Sequence, residues 1–425
     1  MSATPHHDPA FLGARRWSLG AVMFCYLFYY TGRQTFGFAI PGIQAELKLD
    51  TQTLGWISAA MLWAYAAGQM INGNLGDKFG GRRMMCLGAV ASFVLNWFTS
   101  FGIGFKSLVV AWGMNGLAQS MGWAPGSRLV SNWFRAGERG RAFGMFVLAA
   151  GLSSVLSFVT SLLILDVLHL DWRWIFRLPV LLMLLGGGVV WFVARDRPSA
   201  MGFAELPDDD DPQTTTSSSS KIETAWQRYG VVLRNGRLLL AGLAIGFQNT
   251  VRYGLLIWVP VYFLGKDFKH DRLGKWVSLA LPIGMALGAL ASGWISDRFC
   301  DSRRSGVIAT FMILAAVSAI GMYLLPAGHL LGVPVLFLAG FFAYGPQSAF
   351  WALAPDLLGR ARAGTAVGVM NCFAYAMAGL GEPFIGWMIQ HNPFGKSGVE
   401  NVAIVFPLVA VFAICSAILA LLIRR

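Results

Sequence analysis

The sequence has few charged residues, few histidines and few cysteines, and each shortage excludes a class of protein. Charged residues make up 13% of the 425 residues, about half of the roughly 25% that is usual in soluble domains. The five cysteines show neither paired nor metal-like spacing, and all six histidines fall outside the long apolar runs. These shortages argue against a soluble enzyme, a disulfide framework and a metal site. No Walker motif is present either, so transport driven by ATP has no support.

The sequence is instead rich in long apolar runs along its whole length. LPVLLMLLGGGVVWFVA and VAIVFPLVAVFAICSAILALLI approach or exceed the roughly 18–20 residues that cross a bilayer as a helix. Membrane barrels show short alternating segments instead of continuous runs. The sequence therefore predicts an all-α membrane protein with twelve transmembrane helices, at about 17–40, 52–74, 84–104, 107–131, 141–165, 174–194, 238–264, 274–296, 305–326, 331–354, 363–389 and 401–423.

The basic residues indicate how these spans are oriented. The N-terminal stretch MSATPHHDPAFLGARR is polar and shows no cleavable signal peptide. Lys and Arg are more than twice as frequent in the termini and the loops on their side as in the opposite loops. By the positive-inside rule, we expect both termini in the cytoplasm. This distribution accounts for the net charge of +12 without a nucleic-acid partner.

The chain divides into two halves that repeat. An acidic and Ser/Thr-rich stretch, RDRPSAMGFAELPDDDDPQTTTSSSSK, predicts a solvated linker at 196–237 between a six-helix bundle at 1–195 and another at 238–425. GDKFGGRR follows the second span, and the similar stretch SDRFCDSRR follows the eighth. The offset between these two stretches is nearly the same as the offset between two intramembrane arginines. In a carrier built from such repeats, the substrate site lies near the midplane between the halves.

The two arginines, Arg33 and Arg252, each interrupt an apolar segment, with a proline eight residues later. An arginine at the centre of a span costs about 2.5–3.5 kcal/mol, so it normally marks a water-filled path or a ligand. On the first span of each half, the two are expected to face one another across the cavity. Two forked guanidinium groups suit one dianionic tetrahedral group. The alternative is pairing with carboxylates, but Glu382 is the only acidic residue well inside a predicted span.

The chain resembles transporters of the major facilitator superfamily over nearly its whole length. The stretch GNLGDKFGGRR is similar to the signature that follows the second span in that superfamily. The resemblance implies two bundles that rock about a central site. It also implies a structural gate at this signature and at its repeat, comprising Asp77, Arg82, Arg83, Asp297 and Arg298.

Within the superfamily, YYTGRQTFGFAIP and VRYGLLIWVPVYF resemble the organophosphate:phosphate antiporter family, which includes glycerol-3-phosphate and hexose-6-phosphate carriers. This resemblance implies that Arg33 and Arg252 bind phosphate and that inorganic phosphate is the counter-substrate. The chain departs from the family at Gln69, where many members carry lysine, and near Ala150, where some carry histidine. Because Glu382 makes the cavity less positive away from the arginines, we hypothesise a zwitterionic phosphate ester or phosphonate as substrate.

Four further side chains are predicted to line the substrate site. Tyr30 and Tyr253 flank the two arginines, and Tyr65 and Gln69 lie four residues apart on one helix face. The sequence thus predicts a secondary transporter for a small organophosphate or phosphonate, acting as a monomer in the inner membrane and needing no cofactor. Two alternatives stay open: a proton-coupled symporter of organic anions such as sugar acids, and a transporter-like sensor of sugar phosphates. An intramembrane enzyme is disfavoured, because no nucleophile–base pair lies within the spans.

Overall fold

The structure is a computed structural model that describes residues 8–134, 136–206, 225–264, 275–299, 304–326, 329–358, 363–393 and 399–423. The regular structure in these ranges is helical, with no strand. The α-helices are α1 (Pro9–Tyr29), α2 (Phe36–Leu47), α3 (Thr51–Phe79), α4 (Gly81–Ser100), α5 (Phe105–Trp133), α6 (Ala136–Leu162), α7 (Leu181–Val193), α8 (Ala225–Arg234), α9 (Gly236–Phe263), α10 (Ala280–Phe299), α11 (Arg304–Leu324), α12 (Gly332–Tyr344), α13 (Gln347–Leu358), α14 (Ala363–His391), α15 (Val399–Val402) and α16 (Val405–Leu422).

Several of these helices begin at a side chain that caps them. Asp8 accepts from the backbone N–H of Ala10, and proline follows it at the first helical position. Asp50 caps α3 in the same way, and Asn235 caps α9. Such caps satisfy N–H groups that have no partner inside the helix. The apolar residues that follow satisfy their own backbone groups within the helix, as a lipid environment requires.

Each of the twelve predicted spans coincides with helix over most of its described length. In the described part of the chain, six helical segments are long and apolar enough to cross a membrane by length and composition, namely Ala142–Val167, Trp172–Val193, Arg304–Leu324, Gly332–Trp351, Thr365–His391 and Val405–Leu422. The fold is that of a multi-pass, all-α membrane protein.

Three spans are interrupted where the sequence predicts continuous helices, and the sixth consists of a 3₁₀ turn at Trp172–Phe176 and α7. The first consists of α1, a 3₁₀ turn at Tyr30–Gly32 and α2, which runs to Leu47. The tenth consists of α12 and α13. The predicted linker also contains a helix, α8, whose Val232 side chain is buried. The acidic and Ser/Thr-rich residues 207–224 lie outside the described residues.

The helices of each half pack on one another. Within the described ranges, the main contacts between α-helices of different halves are α3 with α14, α6 with α10, and α2 with α9. Because the spans alternate in direction, α1 begins and α16 ends on one face, here called the terminal face. The opposite face is called the distal face. There the halves touch closely: a Cβ on Gly386 would lie 2.6 Å from the carbonyl oxygen of Thr51. The backbone N–H of Gln52 also donates to the side chain of Gln390.

Candidate functional site

The interruption of the first span is stabilised by buried amides of neighbouring helices. The carbonyl oxygen of Gly32 accepts from Asn115 at 2.7 Å and from Asn96 at 3.1 Å. A side chain at this position has no room, because a Cβ would lie 2.7 Å from the amide nitrogen of Gln119. A backbone group released from helix inside a membrane needs such a substitute partner. These polar residues therefore stabilise the interruption of the helix that precedes Arg33.

Arg33 follows this break directly and is buried between two aromatic rings. Its guanidinium carbon lies 4.0 Å from the ring centre of Tyr30 and 4.7 Å from that of Tyr65. The side chain is 5% exposed, and its Nε and Nη2 atoms have no hydrogen-bond partner. The aromatic faces attract the positive charge, but they do not use these N–H donors.

Arg252 lies in the middle of α9 and is 3% exposed. Its guanidinium carbon lies 4.2 Å from the ring centre of Tyr344 and 5.2 Å from that of Tyr253. Its Nη2 atom donates a long hydrogen bond of 3.5 Å to the hydroxyl of Tyr30, while Nε has no partner. Tyr30 therefore contacts an arginine from each half of the chain.

The two arginines are close together, and no carboxylate among the described residues neutralises either of them. Their guanidinium carbons lie 4.0 Å and 5.9 Å from the centre of the Tyr30 ring, so at most the sum of these distances, 9.9 Å, separates them. The ion pairs found within the described ranges are Arg15–Glu138, Arg173–Glu46 and Lys275–Asp166. Neither central arginine takes part in them. The site thus holds two buried positive charges with free N–H donors.

Two cavities adjoin this pair. A wide cavity of about 60 Å³ reaches Arg252 and is lined by aromatic and amide side chains, chiefly Tyr26, Tyr30, Tyr65, Trp123, Tyr344, Gln347, Asn371 and Tyr375. It extends toward the terminal face, because Tyr26 precedes Tyr30 by one helical turn and Asn371 lies near the start of α14. A narrow cavity of about 10 Å³ adjoins Arg33 on its other side. Among the described residues, no acidic side chain lines either cavity.

The structure brings most of the predicted site residues together, but it places two elsewhere. Tyr30, Tyr65 and Tyr253 surround the arginines, as the sequence predicts. Gln69 instead points its amide at the backbone oxygen of Ser120, 3.5 Å away. Glu382 is fully buried and accepts a hydrogen bond of 3.0 Å from Trp258, and it lines neither cavity.

Sequence reasoning missed two tyrosines of the wide cavity, Tyr26 and Tyr375. A signal for the first is present in the sequence, because Tyr26, Tyr30 and Arg33 follow one another at the spacing of a single helix face. The second lies four residues after Asn371, which does line the cavity. Reading the neighbours of each polar residue at helical spacing would have identified both.

The proposed gate is described only in part. The backbone N–H of Arg82 donates to the carboxylate of Asp196 at 2.8 Å, and its guanidinium carbon lies 4.8 Å from the ring centre of Trp191. Arg83 is exposed. The side chains of Asp77, Asp297 and Arg298 lie outside the described residues. The described contacts thus fix the terminal end of α4 to the segment after α7, inside the first half.

The chain resembles known proteins in both sequence and fold. Residues 22–382 match the family model described as Major Facilitator Superfamily. The chain is 27% identical over 386 residues to the probable hexose phosphate transport protein of Chlamydia trachomatis serovar D, covering 87% of this chain and 82% of the relative. It is 26% identical over 388 residues to the membrane sensor protein UhpC of Salmonella typhimurium, covering 88% and 84% respectively.

A solved structure shows the same fold. The crystal structure of a bacterial homologue of the human lysosomal transporter Spinster, in an inward-facing and unoccupied conformation, superposes with a TM-score of 0.76. It covers 98% of this chain and 97% of that chain at 14% sequence identity. The architecture of twelve helices in two six-helix bundles is the one that both comparisons support.

Proposed function

Given that this chain belongs to the Major Facilitator Superfamily, we propose that it is a secondary transporter for a small organophosphate or phosphonate dianion. The observation that carries this proposal is the pair Arg33 and Arg252. They come from different halves, are buried within 9.9 Å of each other, and have unused N–H donors and no carboxylate partner in the described part of the chain. The similarity to a probable hexose phosphate transport protein supports the same substrate class.

The charge of the site favours a dianion that carries several oxygens. Each buried arginine costs about 2.5–3.5 kcal/mol in a membrane span when no partner offsets the charge. A phosphoryl or phosphonyl group brings a charge near −2 and three acceptor oxygens, and so neutralises both guanidinium groups. Nε of each arginine is free to donate. Carboxylates bring half this charge and are bound less tightly by a pair of fixed cations.

Transport follows from the position of the pair between the halves. In this structure the halves touch at the distal face, while the wide cavity extends toward the terminal face. Closing the terminal face requires the halves to approach around the site. Two like charges oppose that approach when the site is empty, and a bound dianion removes the opposition. We infer that the carrier reorients when loaded, which produces exchange, with inorganic phosphate as the second substrate.

We place the protein in the inner membrane with both termini in the cytoplasm, as the distribution of Lys and Arg indicates. In that orientation the wide cavity faces the cytoplasm. The carrier acts as a monomer, because the site is built from the two halves of one chain. We take 1–195 and 238–425 as the two bundles and 196–237 as the linker between them.

The nature of the organic part depends on Glu382. Its contact with Trp258, away from both cavities, gives no direct path to a substrate ammonium group. The geometry therefore favours substrates whose organic part is neutral. The zwitterionic substrate stays a hypothesis that the Glu382→Gln variant tests.

Sensing is the second candidate function, because UhpC, with 26% identity to this chain, is described as a membrane sensor. A sensor binds the same anion without moving it. Counterflow in reconstituted vesicles separates the two functions. Vesicles are loaded with phosphate, and uptake of labelled phosphate, phosphate esters, phosphonates and sugar acids is measured. Transport predicts uptake of phosphate and of at least one ester or phosphonate. Binding without flux favours the sensor, uptake of sugar acids alone favours the symporter, and uptake without internal phosphate excludes strict exchange.

A further inference from the structure

Four buried side chains that carry unpartnered polar atoms line the narrow cavity. Arg33, Gln34, Ser58 and Tyr253 all line it, and each is at most 5% exposed. The unpartnered atoms are Nε and Nη2 of the arginine, both amide atoms of the glutamine and the two hydroxyl oxygens. Buried polar groups are normally satisfied, so a cluster of unsatisfied ones needs an explanation. Their convergence on one cavity indicates a ligand.

The cavity lies on the distal side of Arg33 and crosses the boundary between the halves. Gln34 and Ser58 belong to the first half, whereas Tyr253 and Ile257 belong to the second. Its walls approach closely where Gly37 packs against the carbonyl oxygen of Ile257. Its volume of about 10 Å³ accommodates roughly one water molecule. A phosphoryl group therefore does not fit in this conformation, but the cavity widens when the halves part at the distal face.

The chemistry of the cluster suits an oxyanion. The guanidinium group, the two hydroxyls and the amide nitrogen of Gln34 are all donors, and no acidic side chain lines the cavity within the described residues. Donors directed at one small space bind an oxygen that carries negative charge. The remaining walls, such as Trp112 and Leu62, are apolar and keep water away from the group that is bound.

We propose that Gln34, Ser58 and Tyr253 form a distal subsite, which receives the oxygens of the substrate's phosphoryl or phosphonyl group when the carrier opens to the distal face. The proposal rests on the proposed function, because it assigns a second position to the same substrate. Arg33 lines the narrow cavity, and its guanidinium group also contacts the rings of Tyr30 and Tyr65, which line the wide cavity. From this position it stays bound to the anion while the other partners change.

The test is the sidedness of substrate affinity in reconstituted vesicles whose orientation is fixed by the accessibility of a tag at the termini. Phosphate exchange is measured with saturating phosphate on one side and a concentration series on the other. Gln34→Leu, Ser58→Ala and Tyr253→Phe each remove polar atoms with little change of shape. Each is expected to raise KM at the distal face about five- to tenfold, as for a lost hydrogen bond to a charged group. KM at the terminal face is expected to stay within about twofold, because these side chains do not then hold the anion.

Asn371→Ala is the matched variant on the other side, because Asn371 lines the wide cavity and not the narrow one. It is expected to raise KM at the terminal face more than at the distal face. Unchanged KM at both faces in the three distal variants would mean that the cluster holds only a water molecule. An equal rise at both faces would indicate a structural role. Either result overturns the distal subsite.

A second measurement follows the cavity directly. Ser58→Cys is made in a background without the five native cysteines, and a membrane-impermeant methanethiosulfonate is applied from each face. Reaction from the distal face, slowed by phosphate, is expected. No reaction, or reaction only from the terminal face, contradicts the proposal. If Arg252→Gln abolishes exchange while the three distal variants leave KM unchanged at both faces, the distal subsite is excluded and the proposed function stands.

Discussion

The hydroxyl of Tyr30 accepts a hydrogen bond from Arg252, although the two residues lie in different halves of the chain. The ring of the same tyrosine lies against the guanidinium group of Arg33. Tyr30 thus uses its polar end for one arginine and its aromatic face for the other. The two contacts have different strengths and are removed by different substitutions.

Tyr30→Phe removes the hydroxyl and keeps the ring. We expect substrate affinity to fall a few-fold, in line with the roughly 0.5–1.5 kcal/mol of one ordinary hydrogen bond. Tyr30→Leu also removes the aromatic face and a further 0.5–2 kcal/mol or so of cation–π attraction, so affinity falls further. KM for phosphate measures both. Tyr29→Phe is the control, because the Tyr29 hydroxyl donates to the backbone of Met85 and contacts neither arginine. Equal KM in the two Tyr30 variants would contradict the separate roles.

Asp166 and Lys275 form an ion pair between the halves at the distal face, with Nζ 2.8 Å from Oδ1. Trp276 donates to the other carboxylate oxygen at 3.2 Å. Asp166 is 4% exposed, so removing its charge leaves the largely buried ammonium group of Lys275 without its ion-pair partner, which typically costs about 3–5 kcal/mol. Because these contacts join the two halves at the distal face, we expect Asp166→Asn to favour the conformation open at that face.

The rate at which Ser58→Cys is modified from the distal face measures this shift, and Asp166→Asn is expected to raise it. Arg173→Gln is the matched control. Its ion pair with Glu46 lies within the first half and does not cross between the bundles. A rise of the same size in both variants would show that general loosening, and not the cross-bundle pair, is responsible.

Glu382→Gln keeps an oxygen that accepts from Trp258 and removes the ability to become negatively charged. Since Glu382 lines neither cavity, we expect it to change the transport of aminated and of neutral phosphate esters by the same factor. The ratio of the two rates, measured by counterflow, is the relevant quantity. A selective loss of the aminated substrate would restore the zwitterionic hypothesis and place Glu382 within reach of the substrate.

Glu46 makes stability depend on pH at the distal face, beyond the end of the first predicted span. Hydrogen bonds from Arg173, and secondarily from Trp172, hold the pKa of Glu46 below its usual value. A lowered folded-state pKa means that the stabilisation is complete above the unfolded value of about 4.3 and is lost as pH falls through the lower folded value. The effect is small because the pair is exposed. The thermal unfolding temperature of the wild type is expected to fall more on this acidification than that of the Glu46→Gln variant. Identical dependence of the unfolding temperature on pH in the two proteins would exclude a contribution from Glu46.

The sequence predicts the twelve spans and the pairing of Arg33 with Arg252, because both depend on composition and on the repeat. It does not predict the break at Tyr30–Gly32. That break depends on amides from other helices, such as Asn115 and Asn96, which satisfy the carbonyl of Gly32. The amino-acid sequence alone does not show which distant donors will reach a given backbone group.

The sequence also does not show the direction of side chains when packing determines it. Glu382 and Gln69 both occupy spans, and both are polar, yet each finds a partner away from the cavities. Gln34 and Ser58, by contrast, look ordinary in the sequence and line the narrow cavity without partners. Helical periodicity shows which residues share one face of a helix. The packing of the neighbouring helices determines what that face contacts.

Phosphate counterflow by the Arg33→Gln, Arg252→Gln double variant tests the central claim most directly. The double variant is expected to fold, because it removes two uncompensated buried charges, and size-exclusion chromatography in detergent verifies this. Its rate of labelled phosphate uptake into phosphate-loaded vesicles is expected to fall at least about a hundredfold, since two charge-assisted contacts to the anion are lost. Uptake by the folded double variant at the wild-type rate would contradict the account.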